Sequence, residues 1–202
     1  MVYLAIAGLL LVAVLFGVWK LLQRSEPKPS TTIPVDTTTH QTCETPRLNP
    51  FSDLRNQALT ASSEEFEIAN TTRKPIVYGV VMDWNIGTGT ATFASFISGD
   101  ASMYTSTGGG VIGGIGHENV KTASVQFVKK AQDFVSKAQR SDDLSLPNSN
   151  RVKFFLLTTQ GRFVAEEKLM DFDDGSSKWL KLFEEANTVI TELRAVSGDF
   201  EK

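Results

Sequence analysis

A chain of 202 residues with 41% apolar content suits one globular domain carrying an appendage. Its 20 Lys and Arg against 23 Asp and Glu leave a net charge of −3, without the cationic excess that phosphate binding needs, which excludes nucleic acid as a partner. The single cysteine, Cys43, excludes an intrachain disulfide framework.

In chain order, the first feature is an apolar run. Val2 to Trp19 contains no charged residue. At about 1.5 Å per residue a helix over this run reaches roughly 27 Å, and Leu21 and Leu22 extend it once Lys20 snorkels. A cleaved signal peptide fits less well, because no basic segment precedes the run and no small-x-small site follows it. Residues 1–24 are therefore expected to form a single transmembrane anchor, in contact with the lipid bilayer through residues 2–22. Lys20, Arg24 and Lys28 follow the run and no cation precedes it, so the amino terminus is expected outside and the remainder in the cytoplasm.

Five of the seven prolines (Pro27, Pro29, Pro34, Pro46 and Pro50) then fall between Ser25 and Pro50, among many threonines. Such a segment buries too little apolar surface to offset its ordering entropy. Residues 25–49 are expected to be a disordered tether with a span on the order of 30 Å.

Residues 50–202 carry the patterns of a folded α+β domain. Phe51, Leu54, Ala58 and Leu59 follow helical spacing. Ile76 to Trp84 is nearly continuous in β-forming apolar residues, as a strand covered on both faces should be. Thr90–Ile97 and Ala101–Thr107 read as two more strands, separated by turns too short for anything but an antiparallel meander. After a glycine tract, Val120, Ala123, Phe127, Val128, Ala131, Phe134, Val135 and Ala138 form the apolar stripe of a long helix. Ser141–Asn150 reads as a polar loop, and Val152–Thr158 with Arg162–Leu169 as a hairpin about Gln160-Gly161. A last helix is expected from Ser176 to Val196. The expected order is α-β-β-β-α-β-β-α, a five-stranded antiparallel sheet with packed helices behind a single transmembrane helix.

The strand Val77–Asp83, then Ala91-Thr92-Phe93, then Ser106-Thr107-Gly108-Gly109-Gly110-Val111-Ile112-Gly113-Gly114 with Gly116-His117-Glu118 resembles a family of small bacterial proteins of uncharacterised function that share this glycine signature. The resemblance runs from about Leu54 to Arg194. It implies a bacterial source, hence the inner membrane as the site of the anchor, and carries over no catalytic residue. At the level of topology alone, the layout is similar to profilin-like, roadblock and longin domains, a likeness that licenses no function.

The glycine tract is the strongest local candidate for a binding site. Ser106, Thr107, Gly108, Gly109, Gly110, Gly113 and His117 lie between a strand and a helix, where backbone amides can cradle an anion. Gly108-x-Gly110-x-x-Gly113 satisfies the dinucleotide fingerprint in letters only. Its strand belongs to a meander, no acidic residue ends the next strand, and no Gly-Lys-Ser/Thr follows. The alternative is architectural, with glycines letting a loop lie flat against the sheet or a second copy. His117 can act as a general base only with a nucleophile beside it, and Ser106 and Thr107 are the nearest hydroxyls in sequence. Asp171-Phe172-Asp173-Asp174-Gly175 fails the calcium-loop spacing, and fits a turn in which Asp174 or Ser176 caps the last helix. No cofactor or metal is expected, since one cysteine and two separated histidines make no zinc site.

From Pro50 onward, 16 Lys and Arg face 20 Asp and Glu, so the domain is net −4. The expected function is a non-enzymatic interaction or scaffold module at the membrane, its partner either a second copy in a homo-oligomer or another protein. The alternative is a ligand sensor or enzyme using the loop 108–117.

Overall fold

The computed structural model describes residues 50–69 and 73–197. The expected anchor, tether and orientation fall on residues outside these. Among the described residues, no helix is long and apolar enough to cross a membrane.

Helix α1 (Pro50–Thr60) opens the domain and a 3-10 turn at Ser63–Phe66 follows it. Strands β1 (Val77–Asn85), β2 (Thr90–Phe96), β3 (Ala101–Thr105) and β4 (Gly110–Val111) come next. Helix α2 (Glu118–Ala131) continues into a 3-10 turn, Gln132–Lys137, before β5 (Gln139–Arg140). Strands β6 (Arg151–Thr158) and β7 (Gly161–Lys168) form a hairpin. The short α3 (Leu169–Asp173) and the long α4 (Leu180–Ser197) close the domain.

All strands join one antiparallel sheet in the order β4-β3-β2-β1-β6-β7-β5. The sheet has seven strands and not the expected five. The two additional strands sit at its two edges, and each is two residues long. Gly110-Val111 and Gln139-Arg140 are too short to show alternation, and one contains glycine while the other is wholly exposed. Both are strands only because a longer strand lies beside them.

The sheet is covered on both faces, which accounts for the continuous burial of β1. On one face α2 and α4 supply Val120, Phe127, Phe183, Ala186 and Ile190 to a core with Val80, Met82, Trp84, Phe93, Phe154 and Leu156. Aromatic rings interlock there: Trp84 meets Phe183 edge-on at 5.3 Å, and Phe154 stacks on Trp179 at 5.2 Å. On the other face α1 lays Ala58 and Leu59 over Val81, Ala94, Phe155 and Leu157. Phe66 extends this layer by stacking on Tyr78 at 5.6 Å and Phe96 at 5.2 Å.

The α1 stripe differs from its expected composition in one residue. Leu54 is only half-buried, while Arg55 is buried together with Phe51, Ala58 and Leu59. The reason is Asp83, fully buried towards the carboxyl end of β1. Arg55 donates to Asp83 Oδ2 from Nε at 2.9 Å and from Nη2 at 2.6 Å, while Thr92 donates to Oδ1 at 2.6 Å. Nη2 also donates to the Leu144 carbonyl at 2.8 Å, tying the 141–147 segment to α1.

The nearby Lys153 is 4% exposed and donates to Asp143 Oδ2, the Ser145 carbonyl and Ser145 Oγ, each at 3.0 Å. Removing one partner of a buried pair leaves the other charged and unsatisfied, at a cost of about 3–5 kcal/mol, whereas replacing both by apolar residues is close to neutral. Urea unfolding of Arg55→Met and Asp83→Leu is therefore expected to show losses of that order singly, with most of the loss recovered in the double variant.

Asp143 accepts hydrogen bonds from the backbone and side chain of Ser145 and from Lys153, which together hold its carboxyl down at about 2. A depressed acid contributes stability above its unfolded value near 3.8, and the contribution is lost as pH falls through about 2. A side-chain NMR titration should find Asp143 ionised at pH 3, and Asp143→Asn should remove this part of the acid dependence of unfolding.

Candidate functional site

The glycine segment forms a hairpin turn, an edge strand and a helix approach. Ser106 and Thr107 follow β3, and Gly108 and Gly109 complete the turn with φ of 99° and 84°, values at which a side chain is strained. Hydrogen bonds hold the turn: Ser106 Oγ accepts from Thr90 N at 2.9 Å, and Thr105 Oγ1 donates to the Gly108 carbonyl at 2.5 Å. Gly110 lies in β4 opposite Tyr104, and a Cβ there would come 2.5 Å from the Met103 carbonyl oxygen and 2.8 Å from Tyr104 Cα. Gly113 precedes a 3-10 turn at Gly114–Gly116, where a Cβ on Gly114 would meet Val120 at 2.6 Å and Leu193 at 2.7 Å. Backbone lying close against β3 therefore demands glycine at 110, and at 114 the absence of a side chain leaves room for the buried Val120 and Leu193 side chains.

The structure separates the residues that a nucleophilic site would need. Ser106 and Thr107 follow the carboxyl end of β3, while Gly114 packs against Ala101 at its start. His117 stands just beyond, at the entrance to α2, with its backbone N–H bonded to the Gly114 carbonyl at 3.1 Å and no capping bond from its side chain. The length of β3, about 3.3 Å per residue, lies between the hydroxyls and the imidazole. They form no pair.

The same segment exposes apolar surface. Ile112 is 61% exposed and Ile115 49%, and they bracket Gly113-Gly114 beside the β4 edge. Two isoleucines held open by a tightly fitted backbone form a small apolar platform.

A second assembly escaped the sequence. Register places Glu166, Lys153, Asp83, Thr92, Tyr104 and Gly110 in one row across five neighbouring strand pairs, on the face that α1 covers. Arg55 Cζ and Lys153 Nζ lie 5.6 and 5.3 Å from the Phe155 ring centroid, within cation-π reach. Tyr104, edge-on to Phe51 at 6.0 Å, has no hydrogen-bond partner for its hydroxyl among the described residues, and burial, then the Asp83 charge, push its pKa up. Both Asp83 oxygens are engaged, so the row braces the fold and offers no free base. A signal for it existed, because a lone carboxylate in an apolar central strand requires a buried cation elsewhere.

The expected caps of the last helix, Asp174 and Ser176, lie ahead of α4 in a turn: Asp174 Oδ1 accepts from Ser176 N at 2.9 Å, and Ser177 Oγ accepts from Trp179 N at 3.0 Å just before the helix. The helix begins at Leu180 and not Ser176. Among the described residues, no group of three or more His, Cys, Asp or Glu could hold a metal ion.

Comparison with models of known protein families, with curated proteins and with solved structures found no match for the chain.

The packing predicts a split among the glycines. Gly110→Ala forces a shift of backbone and Gly114→Ala a repacking of the buried Val120 and Leu193 side chains, and each is expected to cost about 1–3 kcal/mol. Gly116→Ala meets nothing within 4 Å and is expected to stay within about 0.5 kcal/mol of the parent in thermal or urea unfolding.

Proposed function

We propose that the domain is a non-enzymatic protein-interaction module that self-associates through the edge made by β4 and the glycine segment. The supporting observation is the exposure of Ile112 and Ile115 on a backbone that close packing holds in place. Burying an isoleucine side chain stabilises a contact by about 1.5–3 kcal/mol, and a prearranged backbone has little ordering entropy to lose on association. The two-residue β4 leaves a sheet edge open beside this platform, and such an edge can meet its own copy across a two-fold axis.

The sequence supports a place for this module at a membrane. The uncharged run Val2–Trp19 suits a bilayer, and the cations after it favour the cytoplasmic side. Holding copies near one surface raises their effective concentration, so that a weak edge contact suffices.

The double variant Ile112→Asp/Ile115→Asp tests the reading in the full chain in detergent micelles, by sedimentation and chemical cross-linking. Association of the parent is expected to weaken by more than about tenfold, since each 1.4 kcal/mol is a factor of ten. The melting temperature should be unchanged, as both residues are exposed. A parent chain that stays monomeric, or a variant that associates equally well, would overturn it.

A further inference from the structure

The opposite edge of the sheet is open in a different way. Strand β7 pairs with β6 along its whole length, from Gly161 to Lys168. With β5 it pairs only at Phe163 and Val164. In an antiparallel sheet, alternate residues direct their N–H and C=O groups to opposite neighbours. Leu169 N bonds to Asn150 O on the β6 side, and Ser141 N to Arg162 O on the β5 side. The even-numbered residues of β7 therefore face outward. Val164 meets Gln139, which leaves the N–H and C=O of Glu166 and the N–H of Lys168 directed past the end of β5, where no strand pairs with them among the described residues. The Lys168 carbonyl is the one an N-cap residue commits to its own helix, α3.

Beside this edge lies a groove of about 260 Å³, lined by Lys137, Gln139, Val164–Glu167, Lys178 and Trp179. Its chemistry is that of a donor-rich site. The ammonium groups of Lys137 and Lys178 have no carboxylate within ion-pair distance among the described residues, and Lys137 Nζ rests 4.3 Å from the Phe134 ring centroid. Trp179 is fully buried, and its indole N–H has no acceptor among the described residues. Of the two carboxylates at the groove, Glu166 is paired with Arg151 at 3.5 Å, and only Glu167 opposes the two lysines. Exposed Lys168 adds a third cation along the strand. This edge is thus locally cationic on a domain that is net −4.

We propose that the β7 edge is a docking site for an extended acidic peptide segment, added as an antiparallel strand with its carboxylates towards Lys137 and Lys178. Backbone pairing to Glu166 and Lys168 supplies the strand contact, and the lysines select the sign of charge. In an extended segment every second side chain faces the groove, so the matching pattern is an acid at alternate positions.

The test uses the full chain in detergent micelles, with nitrogen-labelled backbone and indole groups, followed by NMR. The probes are acetyl-Val-Glu-Val-Glu-Val-amide, its lysine counterpart, and an N-methylated glutamate peptide that cannot donate to a strand. Only the first is expected to shift the Glu166, Lys168 and Trp179 indole signals saturably. Lys137→Glu/Lys178→Glu should weaken it by more than about tenfold and admit the lysine peptide. Both lysines are exposed, so this variant should keep the parent's melting temperature. Absence of a saturable shift, equal binding of both charges, or undiminished binding of the N-methylated peptide would each overturn the proposal. Shifts at Ile112 and Ile115 instead would also do so, as would peptide-independent shifts that grow with protein concentration, which would assign the edge to a second copy.

Discussion

Asp83 sits in the middle strand of the sheet, two residues from that strand's end, where both faces are covered and the side chain is fully buried. A carboxylate in such a place is tolerated only with a charged partner and a full set of hydrogen bonds. Arg55 and Thr92 meet that requirement, and in doing so they position much else. The guanidinium draws α1 onto the sheet, and its Nη2 also catches the Leu144 carbonyl. Lys153, the direct neighbour of Asp83 on β6, holds the same segment through Asp143 and Ser145. One layer of the three-layer domain is therefore oriented by polar contacts, and its apolar side chains pack in the register those contacts set.

This constraint shapes the edges as well. The row that starts at Glu166 and passes through Asp83 ends at Gly110, whose absent side chain lets β4 lie close against Tyr104. At one edge, tight packing of glycines presents Ile112 and Ile115 to solvent. At the other, β5 stops after two residues and leaves backbone donors beside two lysines. The two edges thus offer different chemistry, one apolar and one cationic, on a scaffold whose centre is closed.

Much of the layout is legible in the sequence. The meander β1-β2-β3, the β6-β7 hairpin and the apolar stripe from Val120 to Val135 follow from local periodicity and short turns. The glycine tract was legible as a candidate, but its role was not. Letters such as Gly108-x-Gly110-x-x-Gly113 do not distinguish a cradle for an anion from glycines that fit under Tyr104, Val120 and Leu193. Likewise, Ser106 and His117 are close in sequence and far apart across β3, because the chain reverses between them.

By itself, the sequence determined which segments become the longer helices and long strands and which faces are apolar, whereas the five-residue α3, read as a strand end and a turn, was not legible. Those properties arise from residues a few positions apart. Tertiary structure alone decided the pairing of β1 with β6, the two short edge strands, and the match of Arg55 to Asp83, 28 positions away, and to Leu144, 89 positions away. The physical reason is the same in each case. A two-residue strand exists only as the neighbour of another strand, and a buried charge is stable only beside its partner, so neither leaves a periodic mark on its own stretch of chain.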